Sequence, residues 1–307
     1  MLTALLCIGA VLLDDSLGEP RRRHPLVGFG ALARKVESLA YGPSATGARV
    51  RRGRGVGAVI LLLVPCAVLA GLLAAVPLLG PVVALGSLYL AIGARSLAEH
   101  AEAVAAALRA GDLPLARERV GLIVSRDTGD LDEEHISRAA VESVLENGCD
   151  AIFGALFWFV AAFVPGVVLY RLANTLDAMW GYRTPRYRDF GWAAARLDDL
   201  LNWLPARLTA LSYLAVGATP ALAWRCWRTQ APFWKSPNAG PVMAAGAGAL
   251  GLALGGPARY RGEWQQRPAL GEGMAPRADD IGRAVALVRR ALRLWLAAIL
   301  AGGWLLA

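Results

Sequence analysis

The sequence predicts an all-α, polytopic integral membrane protein, with about four to six membrane-embedded helices joined by polar amphipathic helices and loops. Of its 307 residues, 56% are apolar and only 18% are charged, and the mean hydropathy is +0.44. A soluble domain usually has fewer apolar and more charged residues. All 32 Lys and Arg and all 24 Asp and Glu lie within four windows, 14–55, 95–150, 171–207 and 225–293. We therefore expect a single membrane-embedded domain over residues 1–307.

The longest uncharged segment, residues 56–94, predicts a helical hairpin. Its 39 residues are nearly twice the ~20 that cross a hydrocarbon core as one helix. Pro77, Gly80 and Pro81 interrupt the segment near its middle, where they disfavour a continuous helix. The chain should therefore cross the membrane and return.

The other four uncharged segments are shorter. Segments 151–170 and 208–224 are each long enough to cross once as a helix, the second with little tilt. Segments 1–13 and 294–307 are too short to cross the membrane by themselves. To do so, each would have to extend past neighbouring charged residues. Segment 1–13 is also similar to the apolar core of a secretory signal, but Asp14 follows where small residues should mark cleavage. We expect this segment to be retained.

The charge balance of the four windows predicts their sides of the membrane. Window 14–55 has nine Lys and Arg against four acids, and window 225–293 has eleven against four, so both should be cytoplasmic. The excess of Lys and Arg that membrane proteins carry on their cytoplasmic side accounts for the net charge of +8. No nucleic-acid partner is needed to explain it. Window 95–150 has twelve acids against six Arg, and it should return to the cytoplasmic side after the hairpin. Strict alternation then places 171–207 outside.

The cysteines and histidines argue against several common kinds of site. Four cysteines and three histidines are scattered singly along the chain. They form neither a disulfide framework nor a zinc-ligand pattern. No phosphate-binding P-loop motif occurs either, so any nucleotide must be bound in another way.

Residues 133–150 predict an amphipathic helix with a charged stripe. Arg138, Glu142, Glu146 and Asp150 recur every four residues and so share one face. Arg138 and Glu142 should attract, whereas the three carboxylates in succession should repel one another. A Mg²⁺ ion would compensate this repulsion, since it is bound by one or two carboxylates together with substrate phosphates. The alternative is a solvated face of a helix beside the membrane.

The loop before this helix collects groups that suit an anion. Arg126 and Asp127 lie among hydroxyl residues, and Asp132 is placed to cap the helix. Backbone N–H groups at a helix start favour phosphate, and Arg126 would add a bidentate clamp.

Window 171–207 carries a second set of polar residues interleaved with aromatic ones. Asn174 and Asp177 share one helix face, and Asp198 and Asn202 share another. Between them, arginines alternate with aromatic rings in the segment 182–190. This alternation suits a large planar ligand with anionic groups, or equally an aromatic belt at the membrane interface.

Several long strings of this sequence resemble one known family. They are DDSLGEPRRRHPLVGFG, RVGLIVSRDT, ISRAAVESVLEN, LYRLANTLDAMWGYR, RYRDFGWAAARLDDLLNWLPARLTA, SPNAG and LGGPARYRG. In this order they are similar to the successive signatures of the cobalamin-biosynthesis family CobD/CbiB, adenosylcobinamide-phosphate synthase. The resemblance extends over roughly residues 12–290.

This resemblance implies a multi-pass enzyme of the cell membrane, a carbon–nitrogen ligase of late corrinoid assembly. Its substrates would be the corrinoid adenosylcobyric acid and (R)-1-aminopropan-2-ol O-phosphate, or free aminopropanol. They would be joined by an amide at the corrin's free propionate, to give adenosylcobinamide phosphate. The family is classed as ATP-consuming, so ATP and Mg²⁺ are implied, through an acyl phosphate or adenylate intermediate. Other membrane-bound enzymes of the late pathway are implied as partners.

The resemblance also gives the polar residues expected roles. Mg²⁺ would be held by Glu142, Glu146 and Asp150, and the amine's proton would be accepted by Asp127 or Glu142. Phosphate or corrin carboxylate would be bound by Arg126, Arg138 and Arg183. The remaining substrate-binding candidates are His24, Asn174, Asp177, Tyr182, Asp198 and Asn202.

One difficulty concerns segment 151–170. If it crosses the membrane once, residues 133–150 and 171–207 lie on opposite faces. Either the segment is re-entrant and folds back near Pro165 and Gly166, or the polar residues descend into a shared cavity. We favour the shared cavity. The alternative function is a membrane sensor related to the AmpE proteins, with the same scaffold and no ligase activity.

Overall fold

The computed structural model describes residues 1–20, 24–43 and 46–306. Helices dominate it, as predicted. In chain order the α-helices are α1 (Leu2–Leu17), α2 (Pro25–Ala40), α3 (Ala48–Ala74), α4 (Leu79–Ala91), α5 (Ala94–Arg109), α6 (Leu113–Gly121), α7 (Glu133–Gly148), α8 (Gly154–Trp180), α9 (Tyr187–Phe190), α10 (Trp192–Leu201), α11 (Trp203–Val216), α12 (Pro220–Gln230), α13 (Ala239–Leu250) and α14 (Ala278–Leu305). A π-helix (Cys149–Phe153) follows α7, and a 3₁₀ helix (Ala231–Phe233) follows α12.

Four short strands complete the described elements. They are β1 (Leu254–Gly255), β2 (Ala258–Tyr260), β3 (Glu263–Gln265) and β4 (Ala269–Leu270). β1 pairs with β4 and β2 pairs with β3, both antiparallel. The β2–β3 hairpin holds Arg259 opposite Trp264.

The chain forms two compact units. Unit 1 comprises Met1–Gly93, Gly154–Asn202 and Gly303–Ala307, and unit 2 comprises Ala94–Phe153 and Trp203–Gly302. By length and composition, three helical stretches among the described residues could cross a membrane. These are Ala48–Ala74, Leu79–Arg109 and Glu133–Trp180, and α13 is a shorter apolar helix. The predicted class, an all-α polytopic membrane protein, is confirmed.

In unit 1, the predicted hairpin of residues 56–94 is present as α3 and α4. The chain turns between them, where Leu78 has a φ of 66°. Helix α3 begins at Ala48, before the uncharged segment, because arginine is a good helix former and continues the helix into the charged window. Near that start, Gly55 allows a close approach, since a Cβ there would lie 2.0 Å from the carbonyl oxygen of Phe190.

The predicted span 151–170 is a helical hairpin and not one straight crossing. Helix α8 is interrupted at Ala162 (φ −139°, ψ 17°) and Phe163 (φ 53°, ψ −142°). A Cβ built on Gly166 would lie 2.5 Å from the carbonyl oxygen of Trp158, so the two halves pack against each other.

The two ends of this segment therefore lie side by side. A Cβ on Gly154 would lie 2.1 Å from the hydroxyl of Tyr170, whereas sixteen residues of straight helix would separate these positions by about 24 Å. This reversal just before Pro165 is the fold-back of the re-entrant alternative, and it excludes one straight crossing; the shared cavity that we favour stays a prediction.

The predicted span 208–224 is also divided. Helix α11 ends at Val216, and α12 begins at Pro220, which occupies the first helical position after Thr219. Proline favours a helix start and disfavours a helix interior. The uncharged run is therefore two short helices.

Helix α13 forms the centre of unit 2, and all twelve of its residues are buried. Its small residues permit this packing. A Cβ on Gly246 would lie 2.6 Å from Cδ2 of Leu145 on α7, and a Cβ on Gly248 would lie 2.6 Å from Cα of Ala223 on α12. Helices α7, α11 and α12 all pack against α13.

Candidate functional site

The start of α7 is fixed by a helix cap. Oδ1 of Asp132 accepts a 2.8 Å hydrogen bond from the backbone N–H of His135. This bond favours the ionised carboxylate, so it holds the pKa of Asp132 below its usual range. The predicted capping role of Asp132 is confirmed.

The centre of the candidate site is a buried carboxylate on α7. Glu142 is 2% exposed, and two guanidinium groups donate hydrogen bonds to it. Nη2 of Arg126 donates to Oε2, and Nη2 of Arg267 lies 3.1 Å from both oxygens. The backbone N–H of Gly255 donates to Oε1 at 2.8 Å. Two positive charges and a backbone donor thus offset the burial of one negative charge.

The two arginines differ in how many donors they have left for a ligand. Arg267 also donates from Nε to the carbonyl oxygen of Gly256 at 2.9 Å, and its Nη1 lies 3.4 Å from the hydroxyl of Tyr260. Its guanidinium carbon lies 5.2 Å from the ring centroid of Trp234. Arg126, in contrast, has one side-chain hydrogen-bond partner among the residues that the structure describes, which is Glu142. Because a guanidinium has five N–H donors, Arg126 keeps most of them for a ligand.

A polar cavity of about 240 Å³ adjoins this cluster. Arg126, Glu142 and Arg267 form part of its wall. The lining also includes Ser125, Ser143, Glu146, Asn147, Trp234, Met243 and Tyr260. Pockets for drug-sized ligands usually measure about 300–1,000 Å³, so this cavity suits a smaller polar ligand.

The rest of the predicted charged stripe is arranged differently from the expectation. Arg138 pairs with Glu134, one turn earlier on α7, instead of with Glu142. Glu146 lines the cavity. Asp150 lies in the π-helix. A π-helix has more residues per turn than an α-helix, so the four-residue spacing no longer keeps Asp150 on the same face as Glu146.

The residues do not fit the predicted magnesium site. The oxygens of Glu142 accept hydrogen bonds from two guanidinium groups, which already neutralise the carboxylate that a cation was expected to neutralise. Within residues 1–20, 24–43 and 46–306, no three His, Cys, Asp or Glu side chains form a group that could hold a metal ion. Glu142, Glu146 and Asp150 are therefore not a preformed ligand set.

Asp127, a predicted proton acceptor, contacts the β2–β3 hairpin. Its Oδ1 accepts a hydrogen bond from the N–H of Arg261 at 3.0 Å, and its Oδ2 accepts one from the N–H of Gly262 at 2.7 Å. Its own N–H donates to the carbonyl oxygen of Arg259 at 2.8 Å. These contacts favour a structural role at the turn, and the role of proton acceptor stays a prediction.

Asp127→Asn is expected to loosen this turn without stopping turnover. The amide keeps one oxygen acceptor, but its NH₂ group faces a backbone donor at a partly exposed site, which should cost about 0.5–1.5 kcal/mol of stability. Thermal unfolding of the purified protein measures this loss, with Asp130→Asn as the control because that side chain is 88% exposed. A loss of turnover of roughly a hundredfold or more at unchanged stability would instead identify Asp127 as the base.

Comparison with known proteins places the chain in a family. The family model described as CobD/Cbib protein matches residues 7–288. The chain is 62% identical over 309 aligned residues to the cobalamin biosynthesis protein CobD of Chromobacterium violaceum, covering 100% of this chain and 98% of the relative. The chain belongs to the CobD/CbiB family.

Two further relatives of this CobD/CbiB chain carry the same name. The protein of Stutzerimonas stutzeri is 59% identical and covers 98% of each chain, and that of Mycobacterium tuberculosis is 43% identical over 91% of this chain and 88% of its own. No solved structure matches the chain. The family match includes Arg126, Glu142 and Arg267.

In unit 1 of this CobD/CbiB chain, three predicted substrate-binding candidates lie together. Nδ2 of Asn174 donates to Oδ1 of Asp198, and Nδ2 of Asn202 donates to its Oδ2, both at 3.2 Å. The hydroxyl of Tyr170 donates to Oδ1 of Asn202 at 2.9 Å, and Nη1 of Arg171 lies 3.4 Å from Oδ1 of Asn174. The network satisfies a half-buried carboxylate, and its role in substrate binding stays a prediction.

This network gives a pH-dependent expectation for Asp198. Burial raises the pKa of the Asp198 carboxyl. The folded state therefore binds more protons than the unfolded chain between about pH 4, the usual aspartate pKa, and the raised value. Stability should fall as the pH rises through that window. In Asp198→Asn, stability is expected to change less with pH over this window.

Thermal unfolding midpoints measured between about pH 4 and pH 8 would test the expectation for Asp198. Asp130→Asn serves as an exposed control. A curve for Asp198→Asn that runs parallel to the curve of the unsubstituted protein would contradict the prediction.

The other unit 1 candidates have separate surroundings. His24 caps α2, where its Nδ1 accepts a hydrogen bond from the N–H of Leu26 at 3.2 Å, and burial lowers the pKa of its imidazole. Asp177 lies near the end of α8, and its carbonyl oxygen accepts a 2.6 Å hydrogen bond from Gly181. Tyr182 and Arg183 are exposed. Roles in substrate binding stay predictions for all four candidates.

Sequence reasoning missed Arg267 and the backbone of Gly255. Arg267 lies 125 positions from Glu142, so no helical spacing connects them. One signal was present, because a carboxylate on an otherwise apolar helix face requires compensation. The pattern could not show that distant guanidinium groups, and not a metal ion, provide it.

Proposed function

We propose that this CobD/CbiB-family chain acts in cobalamin biosynthesis as a carbon–nitrogen ligase of the cell membrane. It joins the free propionate of adenosylcobyric acid to the amine of (R)-1-aminopropan-2-ol O-phosphate and gives adenosylcobinamide phosphate. Three helical stretches long and apolar enough to cross a membrane support a multi-pass location.

The observation that carries this proposal is the polar cavity of unit 2. Arg126 and Arg267 are each 9% exposed, and Glu142 holds both at the wall of the cavity. Buried arginines recognise carboxylate and phosphate through paired N–H donors. Both groups are present in the proposed reaction, since one substrate reacts through a carboxylate and the other carries a phosphate ester.

The proposed chemistry requires activation of the carboxylate. Amide formation from a carboxylate and an amine in water is unfavourable, so we propose that ATP is consumed. The amine nitrogen then attacks the activated carbonyl carbon, the activating group leaves with its electron pair, and the nitrogen loses a proton. Mg²⁺ remains an expected companion of ATP, but no protein ligands are proposed for it.

Within this scheme, Glu142 acts through the arginines that it orients. A carboxylate that accepts hydrogen bonds from two guanidinium groups and a backbone N–H is a poor proton acceptor. Arg126 is therefore the group of this cluster with donors available to a substrate anion.

Reconstitution in lipid nanodiscs tests the proposed function. Purified protein is incubated with adenosylcobyric acid, ATP, Mg²⁺ and either aminopropanol phosphate or aminopropanol, and the products are separated by liquid chromatography with mass spectrometry. We expect the phosphorylated amide, with formation that stops when ATP is omitted. Absence of any amide from protein that is folded and has every substrate present would refute the proposal and favour a sensor of the AmpE type.

A further inference from the structure

The unit 2 cavity has two walls of opposite hydrogen-bonding character. Arg126 and Arg267 supply N–H donors on one side. On α7, the hydroxyl of Ser143 donates a hydrogen bond to the carbonyl oxygen of Ile123 at 2.8 Å. The NH₂ group of Asn147 donates hydrogen bonds to the carbonyl oxygen and to Oγ of Ser143, at 2.9 and 3.0 Å. Ser143 and Asn147 can therefore offer a ligand mainly acceptor oxygens.

Glu146 adds a carboxylate to this acceptor wall. Residues 142 and 146, and residues 143 and 147, are each four positions apart, so these two adjacent pairs lie on the same side of α7. Glu142, which holds the arginines, comes one helical turn before Glu146, a rise of about 5.4–6 Å. A short molecule with an anionic end and a cationic end matches this separation.

The volume of the cavity limits which substrate it can hold. About 240 Å³ is less than the space taken by most drug-sized ligands, and both a corrin macrocycle and a nucleoside triphosphate are large ligands by that measure. An aminoalkyl phosphate is small, and at neutral pH it carries an ammonium group and a phosphate ester.

We propose that this cavity is the subsite for the aminoalkyl phosphate. Its phosphate ester contacts Arg126, with Arg267 beside it, and its ammonium group contacts Glu146 and the amide oxygen of Asn147. Glu142 is a positioning residue for the two arginines. This inference rests on the proposed function, and it leaves the corrin and the nucleotide to bind outside the cavity.

The ammonium contact also places the reacting nitrogen at the Glu146 end of the cavity, where the Glu146 carboxylate is the group that accepts the proton the ammonium loses before the amine attacks. The phosphate is held one helical turn away and takes no part in the new bond. The phosphate therefore serves to orient the amine, so aminopropanol without its phosphate should bind more weakly.

Equilibrium binding to the full protein in nanodiscs tests this assignment. Radiolabelled aminopropanol phosphate is the ligand, and inorganic phosphate and aminopropanol are competitors. Arg126→Gln is expected to weaken aminopropanol phosphate and inorganic phosphate roughly tenfold or more. Glu146→Gln is expected to weaken aminopropanol phosphate and aminopropanol to a similar degree, and to leave inorganic phosphate unchanged.

Matched controls remove the same charges elsewhere in unit 2. Arg119→Gln removes an exposed arginine, and Glu134→Gln removes a carboxylate from α7 that is 46% exposed. Neither control should change binding. Arg126→Lys keeps the charge and should retain part of the phosphate affinity, which guards against loss of folding in Arg126→Gln.

Two results would overturn the inference. One is a loss of inorganic phosphate binding in Glu146→Gln equal to the loss in Arg126→Gln. The other is amide synthesis in which both variants raise the KM for the corrin and keep the KM for aminopropanol phosphate. If the protein binds aminopropanol phosphate as expected but forms no amide, the proposed function fails and the binding assignment stands.

Discussion

Glu142→Ala is expected to lower the free energy of unfolding by about 3–5 kcal/mol, because it leaves two buried guanidinium groups without their shared counter-charge. Arg126 and Arg267 are each 9% exposed in the folded protein, so water can solvate them only after local opening. The backbone N–H of Gly255 also loses its acceptor. Amide synthesis should fall together with stability.

Thermal unfolding and protease resistance in detergent measure this effect. Glu134→Ala is the matched control, since it removes a half-exposed carboxylate from the same helix, where an ion pair usually contributes less than about 1 kcal/mol. Equal losses in the two variants would contradict the assignment of Glu142 as the centre of a buried cluster.

A triple variant separates the stability of this cluster from its function. Replacing Arg126 and Arg267 with methionine and Glu142 with leucine removes all three charges together. Buried ion clusters replaced by apolar residues of similar volume are often neutral or stabilising, so most of the stability lost in Glu142→Ala should return. We expect this variant to be folded and inactive. An active triple variant would show that the cluster has no part in substrate binding.

Gly166→Leu is expected to open the helical hairpin of α8. A Cβ at this position would lie 2.5 Å from the backbone oxygen of Trp158 and 2.6 Å from Cβ of Ala162. Backbone atoms cannot rotate away as the end of a long side chain can, so the two halves must separate. The cost should be about 1–3 kcal/mol or more.

A distance measurement tests this prediction directly. Spin labels at positions 154 and 170 should be far closer in the parent protein than the ~24 Å of a straight helix, and Gly166→Leu should lengthen and broaden that distance. Gly57→Leu is the control, because a Cβ at Gly57 meets nothing within 4 Å. A distance near the straight-helix value in the parent protein would exclude the hairpin.

The sequence predicts best those features that depend on local composition. The α3–α4 hairpin follows from an uncharged run interrupted at Pro77, and the start of α7 follows from Asp132 as a helix cap. The reversal of α8 was harder to place, since Ala162 and Phe163 are ordinary apolar residues and the turn-forming Pro165 comes after them. Segment 208–224 has the hydrophobicity of one span, which conceals the helix start that Pro220 favours.

The candidate site could be predicted only in part for a related reason. The sequence points to both Arg126 and Glu142, but for different roles, because sequence spacing does not show that they contact each other. The loop before α7 points to Asp127 and the charged stripe of α7 points to Arg138, yet their contacts are with the β2–β3 hairpin and with Glu134, respectively. Contacts between distant parts of a chain depend on packing, which helical periodicity does not encode.

The close packing of α13 has a consequence for genetics. Leu145, whose side chain would lie 2.6 Å from a Cβ at Gly246, comes three residues after Glu142 on the same helix, so any side chain larger than glycine at 246 must displace this fully buried leucine beside the buried carboxylate. Alleles that enlarge Gly246 should thus behave as loss of substrate binding although the new side chain touches no ligand. A screen for inactive variants would recover such alleles in α13 beside those that alter Arg126, and only binding measurements on the purified proteins would tell the two groups apart.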